Sequence, residues 1–552
     1  LYHDDNPNLK CQEIVEPIKL KEDLGTSGSL AVSPSSLKKA AALWALIAFV
    51  LLVAMYARLR NISFDGDFQG WASASCMTMA QSFEHLGALH THFVPIQNNL
   101  PLGSDPDVYL HWPPLYPLLL SFVLRLFGNQ ESSGRLLAMV ITFASVSIVF
   151  LIGRHLYGIR AALLSCFFFL ACRTTYECGR AVLHQPLAML FGSATVLFFL
   201  LAVDEKVPIP DQASSRSTLW ALLGLLSIIC TVLTAWDPFF IPLGLLIAAL
   251  YLHQRKAIRI ALLYVVAGVL TFIAVQIDYL VAYPDLFKNQ FATIAYRAGF
   301  KFNGGSSIHL HTIVDRTHYA WQLSAFGSYS HALRFVYHYF NGLTLLAVPV
   351  FLALWLQTRS KRHDAPMVYL LGGFLFPGLL WFVLMRNYVS IHPFALLLFA
   401  PFVAIASGFV LEQLWTWLNS RDRRPLLWVM LLILPALVLY PFAMYVVDAH
   451  VPFEPAQFQS LSPLIEHNTP LNAVVLSPVE SAVPIYYSNR HIVRGIQNDY
   501  WLQIAITEAR VSFPGSPLYL ALQDSDGSDF PQYLPQLKAI AHQGDSTIYA
   551  LN

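Results

Sequence analysis

Apolar runs of about twenty residues, the length that crosses a hydrocarbon core of roughly 30 Å, recur along most of the chain. The first covers about 40–57 (AALWALIAFVLLVAMYAR), and later ones fall near 135–153, 161–177, 186–203, 219–235, 238–252, 260–281, 337–356, 366–385, 393–415 and 425–446. Short basic connections join alternate pairs: Arg154/Arg160, Lys206/Arg216, Arg255/Lys256/Arg259, Arg359/Lys361/Arg362 and Arg421/Arg423/Arg424. Lysine and arginine favour cytoplasmic loops, so these connections are expected inside, together with Lys38 and Lys39. The remaining connections, 58–134, 178–185, 236–238, 282–336, 386–392 and the tail from about 447, are then expected outside. The pattern predicts an all-α polytopic membrane protein with about eleven transmembrane helices, N-terminus in and C-terminus out.

Residues 113–127 (PPLYPLLLSFVLRLF) test that topology, because a twelfth crossing there would move every later basic loop outside. The run is short, begins with two prolines and contains Arg125, so it reads as a helix lying at the outer interface. The tail at 447–552 changes character: strand-like runs (AVVLSPV, PLYLALQ, STIYALN) and a helical stretch near 500–511 alternate with turn-rich joins. It is expected to form a small external α/β domain. The three parts are thus a polar tail at 1–37, with no signal-peptide pattern and read as cytoplasmic, a membrane domain at 38–446, and the tail domain.

Composition agrees: 56% of residues are hydrophobic, 12% are charged and mean hydropathy is +0.52, where a soluble chain carries roughly a quarter charged residues. The net charge of +1 gives no sign of a nucleic-acid partner, and none is expected. The six cysteines show neither zinc spacing nor a disulfide framework.

Candidate chemistry concentrates in the 58–134 loop. It opens with Phe64-Asp65-Gly66-Asp67-Phe68-Gln69-Gly70-Trp71 and closes with Tyr109-Leu110-His111-Trp112-Pro113-Pro114-Leu115-Tyr116-Pro117, followed by the interfacial helix and Arg135. Long loops in compact proteins are usually functional or disordered, and this one is too rich in aromatics, His and Asp for disorder. With YLHWPPLYPLLLSFVLRLFG and RLLAMVITFASVSIVFLIGRHLYG, the segment resembles the GT-C glycosyltransferases, nearest to the protein O-mannosyltransferases and lipid A aminoarabinose transferases. The resemblance is firm over about 60–205 and absent in the tail. It implies the GT-C fold, a polyprenyl-phosphate sugar donor, a first-loop acidic residue as general base, and no metal at Asp65-Gly66-Asp67.

In the family the motif commonly reads Asp-Glu with an aromatic three residues on. Asp67 and Trp71 fit this pattern, but Phe68 stands where the Glu belongs, which keeps Asp65 in contention. Either aspartate suits the chemistry, since a carboxylate must take the acceptor's proton while cations stabilise the departing phosphate. Alternatively, either one simply caps a helix beginning near Phe68. Asp-x-Asp also leaves a divalent metal open, although none is obligatory.

For the phosphate, Arg386 and His392 flank the turn where the resembling families carry a basic residue. Arg180, near Arg173 and His184, is a second candidate. His111 shapes the loop with its two prolines, and the 282–336 loop (YRAGFKFNGG) is a candidate lid. The expected activity is inverting sugar transfer to a hydroxyl of an unidentified acceptor, outside a bacterial inner membrane. A transporter or a non-catalytic scaffold are the rivals; no inverted repeat or midplane charge cluster supports the former.

Overall fold

A computed structural model describes residues 63–98 (68 excepted), 108–204, 210–284, part of 287–299, 325–340, 342–358, 365–420, 458–479 and 481–551. The expected first and last spans and the N-terminal tail lie outside the described residues.

Among these residues six helices are long and apolar enough to cross a membrane: Glu131–Ala171, His184–Val203, Ser215–Val232, Arg255–Ala282, Ala365–Leu384 and Pro393–Leu418. Shorter apolar helices run Leu115–Phe127, Asp237–Tyr251 and Leu345–Gln357. The 41-residue helix is really two. Gly158 sits at φ 87 and ψ 177, a conformation that costs glycine little and other residues much. Cys166 Sγ lies 3.7 Å from the Val146 carbonyl oxygen, yet twenty residues of straight helix would hold them about 30 Å apart. The chain therefore doubles back at Gly158, between Arg154 and Arg160, as the basic connection there predicts.

Two expected boundaries move. The third span stops at Ala171, where Cys172 is extended, and a separate helix, Arg173–Arg180, follows. The span expected from 337 begins instead at Gly342, after a distinct helix, Ala325–Tyr339.

The described part of the first loop is built on two helices. α1 (Gly70–Leu86) packs against α2 (Leu115–Phe127), the segment expected at the interface. α2 buries Tyr116, Leu120 and Leu124 and leaves Phe122, Leu126 and Phe127 exposed. Thirteen helical residues reach about 20 Å, too short to cross a hydrocarbon core.

The tail forms a five-stranded sheet in the order β2-β1-β3-β5-β4, with β1 (Val474–Leu476), β2 (His491–Val493), β3 (Leu518–Gln523), β4 (Lys538–Gln543) and β5 (Ser546–Leu551). The first three strands run parallel, and β5 pairs antiparallel with both β3 and β4. The helix Asp499–Ser512 covers one face, its first turn capped by the Asn498 side chain, which accepts from the Trp501 N–H at 3.2 Å. β4 escaped the sequence because it is an exposed edge strand with no apolar alternation.

Candidate active site

The first loop enters through a tight turn. Asp67 N–H donates to the Phe64 carbonyl at 3.2 Å and Gly70 N–H to the Asp67 carbonyl at 3.0 Å. A Cβ on Gly70 would fall 1.7 Å from the Phe64 oxygen, so only glycine lets the chain fold back this closely. The helix cap is Gln69, in a left-handed conformation and without a side-chain capping bond. Neither aspartate caps the helix.

The two aspartates serve different parts of the protein. Asp65 Oδ2 accepts the backbone N–H of Phe458 at 2.8 Å, tying the loop to the C-terminal domain. Asp67 is buried between two arginines: Arg135 Nη1 lies 2.7 Å from Oδ2 and Arg180 Nη1 2.6 Å from Oδ1. Arg180 also donates through Nε to Glu177 Oε2 at 2.7 Å. Arg135 Nη2 lies 3.5 Å from Glu131 Oε2, and its guanidinium stands 4.9 Å from the Phe64 ring centroid. Burial works against charge on Asp67, but Arg180 and Arg135 outweigh it and hold the carboxyl below the usual aspartate range. It is therefore ionised, and held tightly. Among the described residues no three His, Cys, Asp or Glu side chains converge as a metal site.

The segments that carry this ion pair continue into the walls of a pocket of about 370 Å³, its open mouth included. From α1 come Trp71, Ser75 and Cys76, and from the stretch beyond Arg180 come Leu183, His184 and Gln185. Tyr109, Trp112, Tyr388, His392 and Phe394 complete an aromatic lining. Trp71 and His392 approach with ring centroids 6.0 Å apart, and Tyr388 and His392 at 4.9 Å. His111 stands just behind, its ring 5.0 Å from that of Tyr109.

Among the described residues the cationic side chain in this lining is Arg297. Its guanidinium lies 5.6 Å from the Trp112 ring centroid and 5.2 Å from that of Tyr388. Its signal in the sequence is weak, an arginine among aromatics in the second long loop. Arg386, by contrast, does not line the pocket; its Nη2 donates to the Gly299 carbonyl, bracing the turn that follows Arg297. Neither Arg180 nor Asp67 lines it. His392 does, but burial, with Arg297 nearby, pushes its pKa down to about 3, so it presents a neutral imidazole. In that state a hydrogen bond is what it offers a ligand. His111 is likewise pushed well below the ordinary histidine value by burial, Arg297 and His392.

Residues 111–279 match the family described as dolichyl-phosphate-mannose-protein mannosyltransferase. No curated protein sequence matches the chain. In three dimensions it resembles ArnT from Cupriavidus metallidurans bound to undecaprenyl phosphate, with a TM-score of 0.59, 15% identity, and coverage of 92% of this chain and 98% of that one. The apo form of the same protein gives 0.60 at 16% identity, over 93% and 98%. An oligosaccharyltransferase from Archaeoglobus fulgidus, in complex with an inhibitory peptide and a dolichol-phosphate, gives 0.58 at 12% identity, over 87% of this chain and 69% of that one. The fold is that of the GT-C glycosyltransferases, as the first-loop resemblance implied.

Proposed function

We propose that this protein is a membrane glycosyltransferase that moves a sugar from a polyprenyl-phosphate donor to an acceptor hydroxyl, with inversion at the anomeric carbon. The observation that carries this reading is the union, on a GT-C fold, of a buried ionised Asp67 with an aromatic pocket whose lining includes Arg297. Flat aromatic faces such as Trp71, Trp112 and Tyr388 suit a sugar ring, and a fixed guanidinium suits a phosphate. The structurally similar proteins bound to undecaprenyl phosphate and dolichol-phosphate point to the same donor class.

In the reaction the acceptor oxygen bonds to the anomeric carbon as the bond from that carbon to the phosphate oxygen breaks. The acceptor's proton passes to Asp67, and the bonding pair leaves with the polyprenyl phosphate. Arg297 meets the charge that develops on the leaving oxygen, in a setting where water is largely excluded and electrostatics count for more. Arg386 acts at one remove by holding the Gly299 turn. Asp67 is a weak base while both arginines hold it. Any loosening of the Arg180 or Arg135 contact raises the proton affinity of Asp67. The site faces the outer side of a bacterial inner membrane, where a lipid-linked donor enters from the bilayer.

The test uses detergent-purified full-length protein with a panel of polyprenyl-phosphate sugars and follows release of free polyprenyl phosphate. Turnover of one donor, lost in Asp67→Asn, supports the reading. Donor binding without turnover points to a missing acceptor, and no binding of any donor refutes it.

A further inference from the structure

We infer that Tyr487, in the C-terminal domain, is a positioning residue for the Asp67 site, so that this domain is a working part of the active centre. The inference rests on the proposed transferase reaction. Tyr487 lies on the short helix Val483–Ser488, which packs on α1. Its hydroxyl accepts the Phe64 backbone N–H at 2.9 Å and donates to Glu131 Oε1. Those two bonds reach Asp67 from both sides. Phe64 opens the turn whose carbonyl receives the Asp67 N–H, and Glu131 partners Arg135, which in turn holds Asp67 Oδ2.

Neither bond is an isolated surface contact. Ala482 and Val483 share an apolar core with Phe64, Met77 and Tyr116, and the Tyr486 ring stands 5.4 Å from that of Phe64. Three further bonds fasten the same interface: Phe458 N–H to Asp65, Ile492 N–H to Asn98 Oδ1 at 3.1 Å, and Arg494 Nη2 to Gln97 Oε1 at 2.9 Å. These fix the domain in place. The Tyr487 hydroxyl is the group that passes this docking on to the orientation of Arg135 and of the Asp67 turn. A phenol suits the task because its oxygen accepts one hydrogen bond and donates another at once.

Tyr487→Phe removes that oxygen and keeps the ring. In full-length protein the expected result is a fall in kcat of about tenfold with the donor KM unchanged. Amide exchange at Phe64, measured by mass spectrometry, rises in the same variant because its acceptor is gone. Glu131→Ala lowers kcat by itself, and adding Tyr487→Phe lowers it no further, since both act along one line. A wild-type kcat in Tyr487→Phe, or fully additive losses in the double variant, overturns the inference. Should the wild type bind no donor, the function reading fails, and the exchange at Phe64 decides the Tyr487 inference by itself: unchanged exchange there refutes it.

Discussion

Replacing Asp67 by Asn is the sharpest perturbation of the site, because it removes one charge and keeps the shape. Both carboxylate oxygens are engaged, at 2.6 Å with Arg180 and 2.7 Å with Arg135, and both arginines are 2% exposed. Breaking a buried pair costs about 3–5 kcal/mol because a charge is left without its partner. Here Glu177 and Glu131 remain to hold the guanidiniums, and the Asn oxygen still accepts one bond, so the cost is expected at about 3 kcal/mol. Even against a stability of only about 5 kcal/mol, roughly 2 kcal/mol would remain, or about 30 folded molecules per unfolded one. Unfolding alone then removes a few per cent of activity, whereas loss of a general base removes about a hundredfold or more. The assay pairs a melting curve with release of polyprenyl phosphate and direct donor binding. Asp67→Asn is expected to melt lower, bind donor and transfer at no more than about one hundredth of the wild-type rate. Transfer above a tenth of the wild-type rate, with binding intact, would refute the role of Asp67 as base.

Arg297→Gln removes the cation from the pocket lining and is expected to raise the donor KM about tenfold or more, read from initial rates; an unchanged KM would move the phosphate elsewhere. Gly70→Ala drives a Cβ into the Phe64 carbonyl, so the turn must open; destabilisation of about 1–3 kcal/mol and a drop in transfer are expected, checked by a melt and a rate. Asp67 has a depressed folded pKa, so its ion pairs contribute fully above the unfolded value and are lost only as pH falls through the folded one, below 3.8. The melting difference between wild type and Asp67→Asn is therefore expected to stay constant from about pH 8 to 5 and to shrink below about 4. His392, at about 3, stays neutral through the same range, and His392→Asn is expected to leave the pH profile of donor binding unchanged.

What the sequence determined by itself is what lies in local periodicity and composition. Twenty-residue apolar runs must be helices wherever water is absent, since no other local structure pairs every backbone group within one segment. Hence the spans at 186–203, 260–281 and 366–385 sit close to the observed helices, and basic residues at 154 and 160 marked the turn that Gly158 makes. Asp65-Gly66-Asp67 stood out through its resemblance to the acidic first-loop motif of the GT-C transferases. Tertiary structure alone decided what the two aspartates do. Asp67 meets Arg135 and Arg180, 68 and 113 residues away, while Asp65 meets Phe458, 393 residues away. No local pattern carries such pairings. The same holds for Arg297, one arginine among many until the fold sets it over Trp112 and Tyr388. His392 shows the same from the other side: burial, which only packing creates, pushes its pKa down.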